Sequence, residues 1–407
     1  MKQIEGGVTA AKGFEAAGVE AAIKYQNRKD MAMVYSTAPC RAAGTFTTNV
    51  VKAAPVLWDK EMVETSPFVQ AVVVNSGIAN ACTGQQGKSI CKEEAKCAGE
   101  LLNIPETAVL VASTGVIGMQ LPLDRICEGI KKLAAAKKGT PQAGLDAAKA
   151  IMTTDTVHKQ VAVEVEIGSK VVTVGGMCKG SGMIHPNMCT MLGFVTTDAN
   201  ISKEMLQRAV SADVVDSFNM ISVDGDTSTN DTLLVLANGL AGNAEITAEG
   251  EDYQAFCEAL HFVTTYLARK MAGDGEGATA LFETKVVGAK TKEEARILAK
   301  AVICSSLTKA AIFGHDANWG RILCALGYSG VDFDPENVDL YFESKDSRIH
   351  IFSKGVACDY SEEEATKILS APEVTVLADM HMGSEEATAW GCDLSYDYVK
   401  INADYRS

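Results

Sequence analysis

The sequence predicts an α/β protein built in layers, with sheets whose strands pair largely antiparallel. Segments with strand character and segments with helical character are interleaved along the 407 residues. Many glycine-marked turns separate these segments, and the chain shows no internal repeat and no low-complexity tract. Hydrophobic residues make up 47% and charged residues 22%, an ordinary balance for a globular protein with a substantial core.

The first half of the chain supplies the clearest strand patterns. Residues 70–74 (QAVVV) and 108–112 have the uninterrupted apolar character of buried strands. Residues 160–167 alternate in hydrophobicity, which predicts a half-buried strand. A Gly-Ser-Lys turn then predicts a hairpin with residues 171–174. Helices are predicted at residues 88–102, 124–138 and 143–152.

The second half continues the same mixture. Residues 190–196 form a short apolar segment that follows a loop containing Gly, Pro and Asn. Ser202 is a predicted N-cap for a helix at residues 202–214, and Glu204 lies in its first turn. Further elements are a strand at residues 233–237, a helix at 249–272, and a continuing strand and helix mixture at 281–287, 292–305 and 338–342.

Composition and charge exclude several classes of partner. Lys and Arg total 37 against 52 Asp and Glu, a net charge of −15, which disfavours nucleic acid and anionic membranes. The N-terminal segment does not resemble a signal peptide, and no stretch approaches the roughly 18 apolar residues typical of a membrane span. We therefore expect a cytoplasmic protein. The twelve cysteines form no CxxC pair and no zinc-finger spacing, so buried reduced thiols and no metal are expected.

Two polar segments resemble ligand-binding motifs but lack required residues. Residues 82–89 (CTGQQGKS) have Cys82 where a phosphate-binding loop has Gly. Residues 224–235 begin like a calcium loop, but Thr229 replaces its Gly and Val235 its Glu. The chain also lacks the GxSxG motif of many serine hydrolases and, with six histidines, shows no evident triad. No bound cofactor is expected.

Thr190 lies where the loop KGSGMIHPNMC meets the apolar segment. A threonine at the start of a strand is common, so this position alone does not indicate catalysis. If the Cys189–Thr190 peptide were strained, however, the Thr190 hydroxyl could attack the Cys189 carbonyl carbon. Hydrolysis of the resulting ester would free the Thr190 α-amino group, whose reference pKa is about 7.7–8. That amine could act as general base for its own hydroxyl, without a histidine.

Several long motifs resemble the ornithine acetyltransferase / glutamate N-acetyltransferase family. The segment MCTMLGFVTTDA around Thr190 is similar to the family signature, with Cys189 in place of the usual Ala. The similarity extends over essentially the whole chain, through GGVTAAKGFEAAGVEAAIKYQNRKDMAM, AAGTFTTNVVKAAPV, AVVVNSGIANACTG, ASTGVIG, GDGEGATALFE, GHDANWGRI and INADYRS. The resemblance implies a DmpA/ornithine-acetyltransferase-like fold with mixed and antiparallel sheets sandwiched by helices, resembling N-terminal nucleophile hydrolases.

The resemblance also implies a self-cleaving enzyme. The cut would fall between Cys189 and Thr190, giving an α chain of residues 1–189 and a β chain of residues 190–407. Two copies of each chain would assemble as a heterotetramer. Thr190 would be the nucleophile, and Thr114 and Gly115, in ASTGVIG, would form the oxyanion hole.

The substrates implied by the resemblance are N2-acetylornithine and glutamate. Acetylornithine would donate its acetyl group to Thr190, and glutamate would then accept it, giving ornithine and N-acetylglutamate in arginine biosynthesis. Some relatives also use acetyl-CoA as a co-substrate, and the sequence does not decide between the two types. Lys179 suits a substrate carboxylate and Glu276 an ammonium group. The implied substrate contacts are Thr153, Lys179, Thr190, Glu276, Asn402 and Ser407.

Two other functions fit the same motifs. An amidase or aminopeptidase on the self-cleaving scaffold would use water in place of glutamate. A non-enzymatic ligand-binding protein could retain the fold, and its chain would remain uncut.

Overall fold

Two β-sheets and the helices packed on them make up the computed structural model, which describes residues 1–185 and 191–404. The strands are β1 (Lys2–Ile4), β2 (Phe14–Val19), β3 (Met31–Phe46), β4 (Val69–Ile78), β5 (Val109–Val116), β6 (Lys159–Ile167), β7 (Lys170–Lys179), β8 (Leu192–Thr197), β9 (Ile221–Ser222), β10 (Thr232–Ala237), β11 (Leu281–Ala289), β12 (Asp339–Ser344), β13 (Ser347–Ser353), β14 (Val356–Ala357), β15 (Glu373–Asp379) and β16 (Glu385–Cys392). The helices are α1 (Ala54–Thr65), α2 (Gly84–Leu102), α3 (Leu123–Ala136), α4 (Pro141–Ala150), α5 (Lys203–Asp213), α6 (Glu251–Gly273), α7 (Lys292–Cys304), α8 (Ser306–Phe313), α9 (Trp319–Gly327), α10 (Glu362–Leu369) and α11 (Tyr396–Asp404).

Within the described residues, the first sheet has nine strands and the second has seven. The order in the first is β1-β6-β7-β8-β10-β3-β4-β5, with β2 also paired to β3. The second runs β14-β13-β12-β15-β11-β16-β9. Most neighbours are antiparallel, but β4 with β5, β8 with β10, β11 with β15 and β9 with β16 are parallel. The predicted layered α/β class with largely antiparallel pairing is confirmed.

Helix α6 lies between the sheets and contacts strands of both, β6 and β7 in the first and β11 and β16 in the second. It buries Phe256, Leu260, Val263 and Leu267, whose spacing of three and four residues places them on one face. Each such side chain contributes roughly 1.5–3 kcal/mol of transfer free energy when fully buried. The helix predicted at residues 249–272 is therefore the main packing element between the layers.

Several predicted elements extend further than the sequence pattern. The strand predicted at residues 171–174 runs to Lys179, because β7 pairs with β6 on one side and β8 on the other. The strand predicted at residues 108–112 continues to Val116 alongside β4. At α5, the Ser202 side chain accepts a hydrogen bond from the Met205 N–H at 3.3 Å, which confirms the predicted N-cap.

Strands from both sides of the predicted cleavage point share the first sheet. β7 ends at Lys179 and β8 begins at Leu192, and these two residues are paired in the antiparallel register. The division into residues 1–189 and 190–407 would therefore pass through one hydrogen-bonded sheet. Across the two stretches 1–185 and 191–404, no helix has both the length and the apolar character needed to cross a bilayer.

Candidate active site

A cavity of about 150 Å³ lies where β5 and β7 end and β8 begins. It gathers positions that are as much as 288 residues apart in sequence, Thr114 and Asn402 being the extremes (402 − 114 = 288). Cys189, Thr190 and Ser407, which the sequence also predicted, lie outside the described residues. The cavity is lined by every other predicted site residue, namely Thr114, Gly115, Thr153, Lys179, Glu276 and Asn402.

Thr114 and Gly115 reach the cavity because β5 runs in register with β4, where Ser76 pairs with Thr114 and Gly77 with Gly115. Gly115 has φ +129°, a backbone conformation that residues with a side chain rarely adopt. A Cβ added there would lie 2.2 Å from the Gly77 carbonyl carbon. Only glycine therefore permits this close approach of the two strands at the cavity wall.

Lys179, the last residue of β7, brings a positive charge to the cavity with only 8% of its surface exposed. Its Nζ lies 4.0 Å from the Asp155 Oδ2 atom. Burial lowers the pKa of the Lys179 ammonium group, while the charge of Asp155 opposes this shift. Glu276 and Asp231 also favour the charged form, whereas Lys159 disfavours it.

Asp155 organises this side of the cavity, although no pattern in the sequence indicated a role for it. It accepts hydrogen bonds from Lys159 Nζ at 2.7 Å, the Gly180 N–H at 2.7 Å and the Thr153 N–H at 3.0 Å. Burial alone would raise its pKa, but the charges of Lys179 and Lys159 lower it to about 2. Asp155 is thus a fixed carboxylate that holds Thr153 and Lys179 at one wall.

Glu276, which follows the end of α6, brings a carboxylate to the cavity and has only 9% of its surface exposed. Asn402 donates from Nδ2 to its Oε2 atom at 2.8 Å, which links α11 to the cavity. The backbone N–H of Glu276 donates to the Ser181 carbonyl oxygen at 3.0 Å. A Cβ added to Gly182 would come within 2.4 Å of the Glu276 carboxyl carbon. A glycine beyond the predicted GDGEG segment therefore makes room for this side chain.

The segment before β10 adds three cavity residues that sequence reasoning missed: Ser228, Asn230 and Asp231. Asn230 Nδ2 donates to the carbonyl oxygens of Ala79 at 2.6 Å and Ser113 at 2.8 Å, which ties the segment to the end of β5. The only sequence signal was the polar run resembling a calcium loop. Within 1–185 and 191–404, no group of three or more His, Cys, Asp or Glu side chains is arranged to hold a metal ion.

Asp231 is 1% exposed, and burial raises its pKa well above the usual range of a carboxyl group. Hydrogen bonds from Ser228 and Thr47, the charge of Lys179 and the Met191 N–H oppose that shift. Its Oδ2 atom has no hydrogen-bond partner in the described part of the chain. The cavity thus combines a cation, carboxyl groups of different character, an amide and several hydroxyls, which suits a small zwitterionic ligand.

Comparison with known proteins assigns relatives to the whole chain. The model of the ArgJ family matches residues 15–407. The arginine biosynthesis bifunctional protein ArgJ of Symbiobacterium thermophilum is 54% identical over 409 residues and covers 100% of both chains. ArgJ 1 of Clostridium acetobutylicum is 51% identical over 401 residues, covering 98% of this chain and 97% of its own.

The chain is also similar to a solved structure over part of its length. The crystal structure of arginine biosynthesis bifunctional protein argJ from Bacillus halodurans aligns with a TM-score of 0.51 at 48% identity. The alignment covers 53% of this chain and 100% of that chain.

Proposed function

Since the chain belongs to the ArgJ family, we propose that it transfers an acetyl group from N2-acetylornithine to glutamate through an acetyl ester on Thr190. Family membership confirms the predicted enzyme class, an acyltransferase of arginine biosynthesis. We further propose that the enzyme acts in the cytoplasm on small molecules, without a bound cofactor and without nucleic acid or membrane partners.

The cavity is the observation that carries this proposal. All predicted substrate and oxyanion-hole residues that the structure describes surround it. Met191, which is covalently bonded to Thr190, also lines it. Consecutive α-carbons are about 3.8 Å apart, so the chain itself keeps the proposed nucleophile within one residue of the cavity wall.

Cleavage between Cys189 and Thr190 is part of the proposal. The Thr190 hydroxyl attacks the Cys189 carbonyl carbon, the peptide bond is exchanged for an ester, and water hydrolyses that ester. Pairing of β7 with β8 supports a product whose two pieces stay together. The Bacillus halodurans chain matches only 53% of this chain but 100% of its own length, which supports a mature chain of about half size. A heterotetramer with two copies of each piece remains the expected assembly.

In the first half-reaction the Thr190 hydroxyl oxygen attacks the acetyl carbon of acetylornithine. The Thr190 α-amine takes the hydroxyl proton and passes it to the departing amine as the carbon–nitrogen bond breaks, so ornithine leaves with its amine restored. Thr114 and Gly115 face the negative charge that develops on the acetyl oxygen. Donors of this kind are worth about 10²–10³ in kcat.

In the second half-reaction the glutamate amine attacks the acetyl ester. The carbon–oxygen bond to Thr190 breaks, the amine loses a proton, and the hydroxyl regains one through the same α-amine. Lys179 pairs with the substrate carboxylate, since no carboxylate among residues 1–185 and 191–404 accepts a hydrogen bond from its ammonium group, and Asp155 lies 4.0 Å away. Glu276, oriented by Asn402, meets the ammonium group of ornithine.

Acetyl transfer is tested by incubating the purified enzyme with acetylornithine, with and without glutamate. The proposal expects N-acetylglutamate and ornithine in equal amounts when glutamate is present. It expects at most slow release of acetate when glutamate is absent. Acetate released at the full rate without glutamate would instead identify the self-processed amidase or aminopeptidase.

A further inference from the structure

Asp231 lines the active-site cavity, yet no step of the proposed reaction uses its carboxyl group. It is 1% exposed, and its Oδ2 atom has no hydrogen-bond partner in the described part of the chain. Burying a carboxyl oxygen without a partner is costly, and such atoms are rare in folded proteins. Asp231 therefore has a free acceptor atom at the wall of the cavity.

The backbone of Asp231 is held from two sides. Its carbonyl oxygen accepts a hydrogen bond at 2.9 Å from the N–H of Thr47, which follows the end of β3. The next residue, Thr232, donates from its N–H to the Met191 carbonyl oxygen at 2.8 Å. Thr232 is also paired with Leu192 in the parallel register of β8 and β10. Asp231 is therefore fixed beside Met191.

The carboxyl group of Asp231 also contacts the chain next to Thr190. It accepts hydrogen bonds from the Ser228 hydroxyl and from the Met191 N–H. That N–H belongs to the peptide bond between Thr190 and Met191. Only the α-carbon and the carbonyl carbon of Thr190 separate its nitrogen from the Met191 nitrogen, so the two nitrogen atoms are less than about 4 Å apart. The covalent chain therefore keeps the Thr190 nitrogen near the Asp231 carboxyl group.

The other charged groups at the cavity have partners of their own. Among the described residues that line the cavity, these groups are Lys179 and Glu276. Lys179 forms an ion pair with Asp155, and Glu276 accepts a hydrogen bond from Asn402. The proposed cleavage converts an amide nitrogen into an amine, which has more hydrogen atoms to donate. Cleavage thus supplies the kind of group that the free oxygen of Asp231 lacks.

We propose that Asp231 positions the α-amine of Thr190, accepting a hydrogen bond from it on Oδ2 after cleavage. The inference deepens the proposed function and rests on it, because the amine exists only in the cut chain. A nitrogen that acts as base must point its lone pair at the hydroxyl. A hydrogen bond from one of its N–H groups to a fixed carboxyl oxygen restricts its rotation. Asp231 thus supplies the third group, which orients the base beside the nucleophile.

Asp231 also stabilises the charge that forms during the reaction. When the amine takes the hydroxyl proton it becomes an ammonium group, and a nearby carboxylate favours that charged form. The ammonium group in turn favours the carboxylate form of Asp231, whose pKa is raised by burial. The proton passes from the amine to the departing ornithine amine, so Asp231 itself exchanges no proton.

Asp231→Asn tests the positioning role through the pH profile. The variant keeps the shape and one acceptor oxygen but loses the charge, so the amine should release its proton more readily. The low-pH limb of kcat/KM for acetylornithine reports protonation of the base in the free enzyme. We expect this limb to move to lower pH by about one unit. At the plateau, kcat should fall about 10–100-fold at nearly constant KM.

Cleavage serves as a second measurement on the same variant. Asp231→Asn should be cut as the wild type is, because the α-amine appears only after the cut. Asp226→Asn, at an exposed position in the segment before β10, is the matched control. It should resemble the wild type in cleavage, in kcat and in pH profile.

The pKa of the amine in the wild type tests the same role without a variant. Reductive methylation at a series of pH values, followed by mass spectrometry of the peptide beginning Thr-Met-Leu-Gly, measures it. Burial and the charge of Lys179 would by themselves place this pKa well below the reference range of about 7.7–8.0. A hydrogen-bonded carboxylate should bring it to that range or above. A value well below the range would overturn the inference.

The outcomes separate this inference from the proposed function. A low-pH limb that Asp231→Asn leaves in place, in a cut and active enzyme, would overturn the inference alone. A rise in KM at constant kcat would also overturn it, because Asp231 would then be a substrate contact. An uncut Asp231→Asn chain would assign the residue to cleavage or folding instead. An uncut or inactive wild type would refute the proposed function itself.

Discussion

Lys179, which lines the candidate active-site cavity, forms an ion pair with Asp155 behind it, with their Nζ and Oδ2 atoms 4.0 Å apart. At this separation the two groups form an ion pair, but the distance is longer than a hydrogen bond. The same carboxylate is hydrogen-bonded to Lys159 at 2.7 Å, and Lys159 is also paired with Asp274 at 2.6 Å. Lys159 is therefore fully engaged in structure, while Lys179 keeps donors for a substrate carboxylate.

Lys179→Gln tests this division of roles. The variant keeps a hydrogen-bond donor but loses the charge, so kcat/KM for acetylornithine should fall about 10–100-fold, mainly through KM. A denaturing gel first establishes that the chain is cleaved as in the wild type. Lys367→Gln, at an exposed position on α10, is the matched control and should leave both kinetic constants unchanged. An unaltered KM for acetylornithine in a cleaved Lys179→Gln enzyme would remove Lys179 from substrate binding.

Gly115→Ala should disable the proposed oxyanion hole. The new Cβ would lie 2.2 Å from the Gly77 carbonyl carbon, so the end of β5 must shift. We expect kcat to fall about 10²–10³-fold, measured as ornithine release. Gly118→Ala is the matched control, because Gly118 also has a positive φ, +86°, but its added Cβ would meet no atom within 4 Å. Similar losses in both variants would point to backbone strain rather than to displaced donors.

Asn402→Ala should weaken binding of the ornithine ammonium group indirectly. The substitution removes the 2.8 Å hydrogen bond that orients the Glu276 carboxylate. Loss of one such bond to a charged group predicts a rise in the KM for acetylornithine of about 10-fold, with a smaller change in kcat. Val399→Ala changes an exposed residue of the same helix and serves as control. A lower kcat at constant KM would contradict an orienting role.

The individual contacts of the site explain why the sequence predicted some of its residues and not others. Thr114 was identified because it stands in ASTGVIG, a motif of a known family, and Lys179 was identified because the resemblance to that family implies a substrate contact there. Asp155 lies in an unremarkable polar segment, and its partners Lys179 and Gly180 reach it only through the folded β6–β7 hairpin. The raised pKa of Asp231 results from its burial in the folded protein, which no local sequence pattern indicates.

Element boundaries show the same limit. The helix predicted at residues 88–102 begins at Gly84, four residues earlier. The prediction missed this first turn because the turn is polar and carries no apolar periodicity. The strand predicted at residues 108–112 extends over Thr114 and Gly115 because β4 continues beside it. Pairing with β4 therefore determines the end of β5 that carries the two predicted oxyanion-hole residues.

A buried carboxyl group away from the site predicts a pH-dependent stability. Burial raises the pKa of Glu94, in α2, to about 8, whereas an unfolded glutamate has a pKa of about 4.3. Between these values the unfolded chain releases a proton that the folded chain retains, so the free energy of unfolding falls as pH rises. Glu94→Gln removes this pH dependence. Its free energy of unfolding should therefore rise relative to that of the wild type between pH 5 and 8, by an amount approaching about 1.4 kcal/mol per pH unit.

Urea unfolding at several pH values measures the Glu94 effect. Glu93→Gln removes the exposed neighbouring carboxylate and should follow the wild type across the range. Parallel pH profiles for Glu94→Gln and wild type would mean that Glu94 is ionised in the folded protein.

Thr190 variants connect cleavage with catalysis. Thr190→Ala should give an uncut chain without transferase activity, because both reactions need the same hydroxyl. Thr190→Ser retains a hydroxyl and should be cut and active, at reduced rates. Denaturing gels and the acetylornithine assay report the two outcomes together. Cleavage that persisted in Thr190→Ala would place the nucleophile elsewhere in the chain.

The most direct measurement is the intact mass of fully active enzyme under denaturing conditions, with N-terminal sequencing of each component. We expect two polypeptides, residues 1–189 and 190–407, the second beginning Thr-Met-Leu-Gly. A single active polypeptide of 407 residues, with Thr190 still bonded to Cys189, would contradict the account, because no free α-amine would be present to activate the hydroxyl.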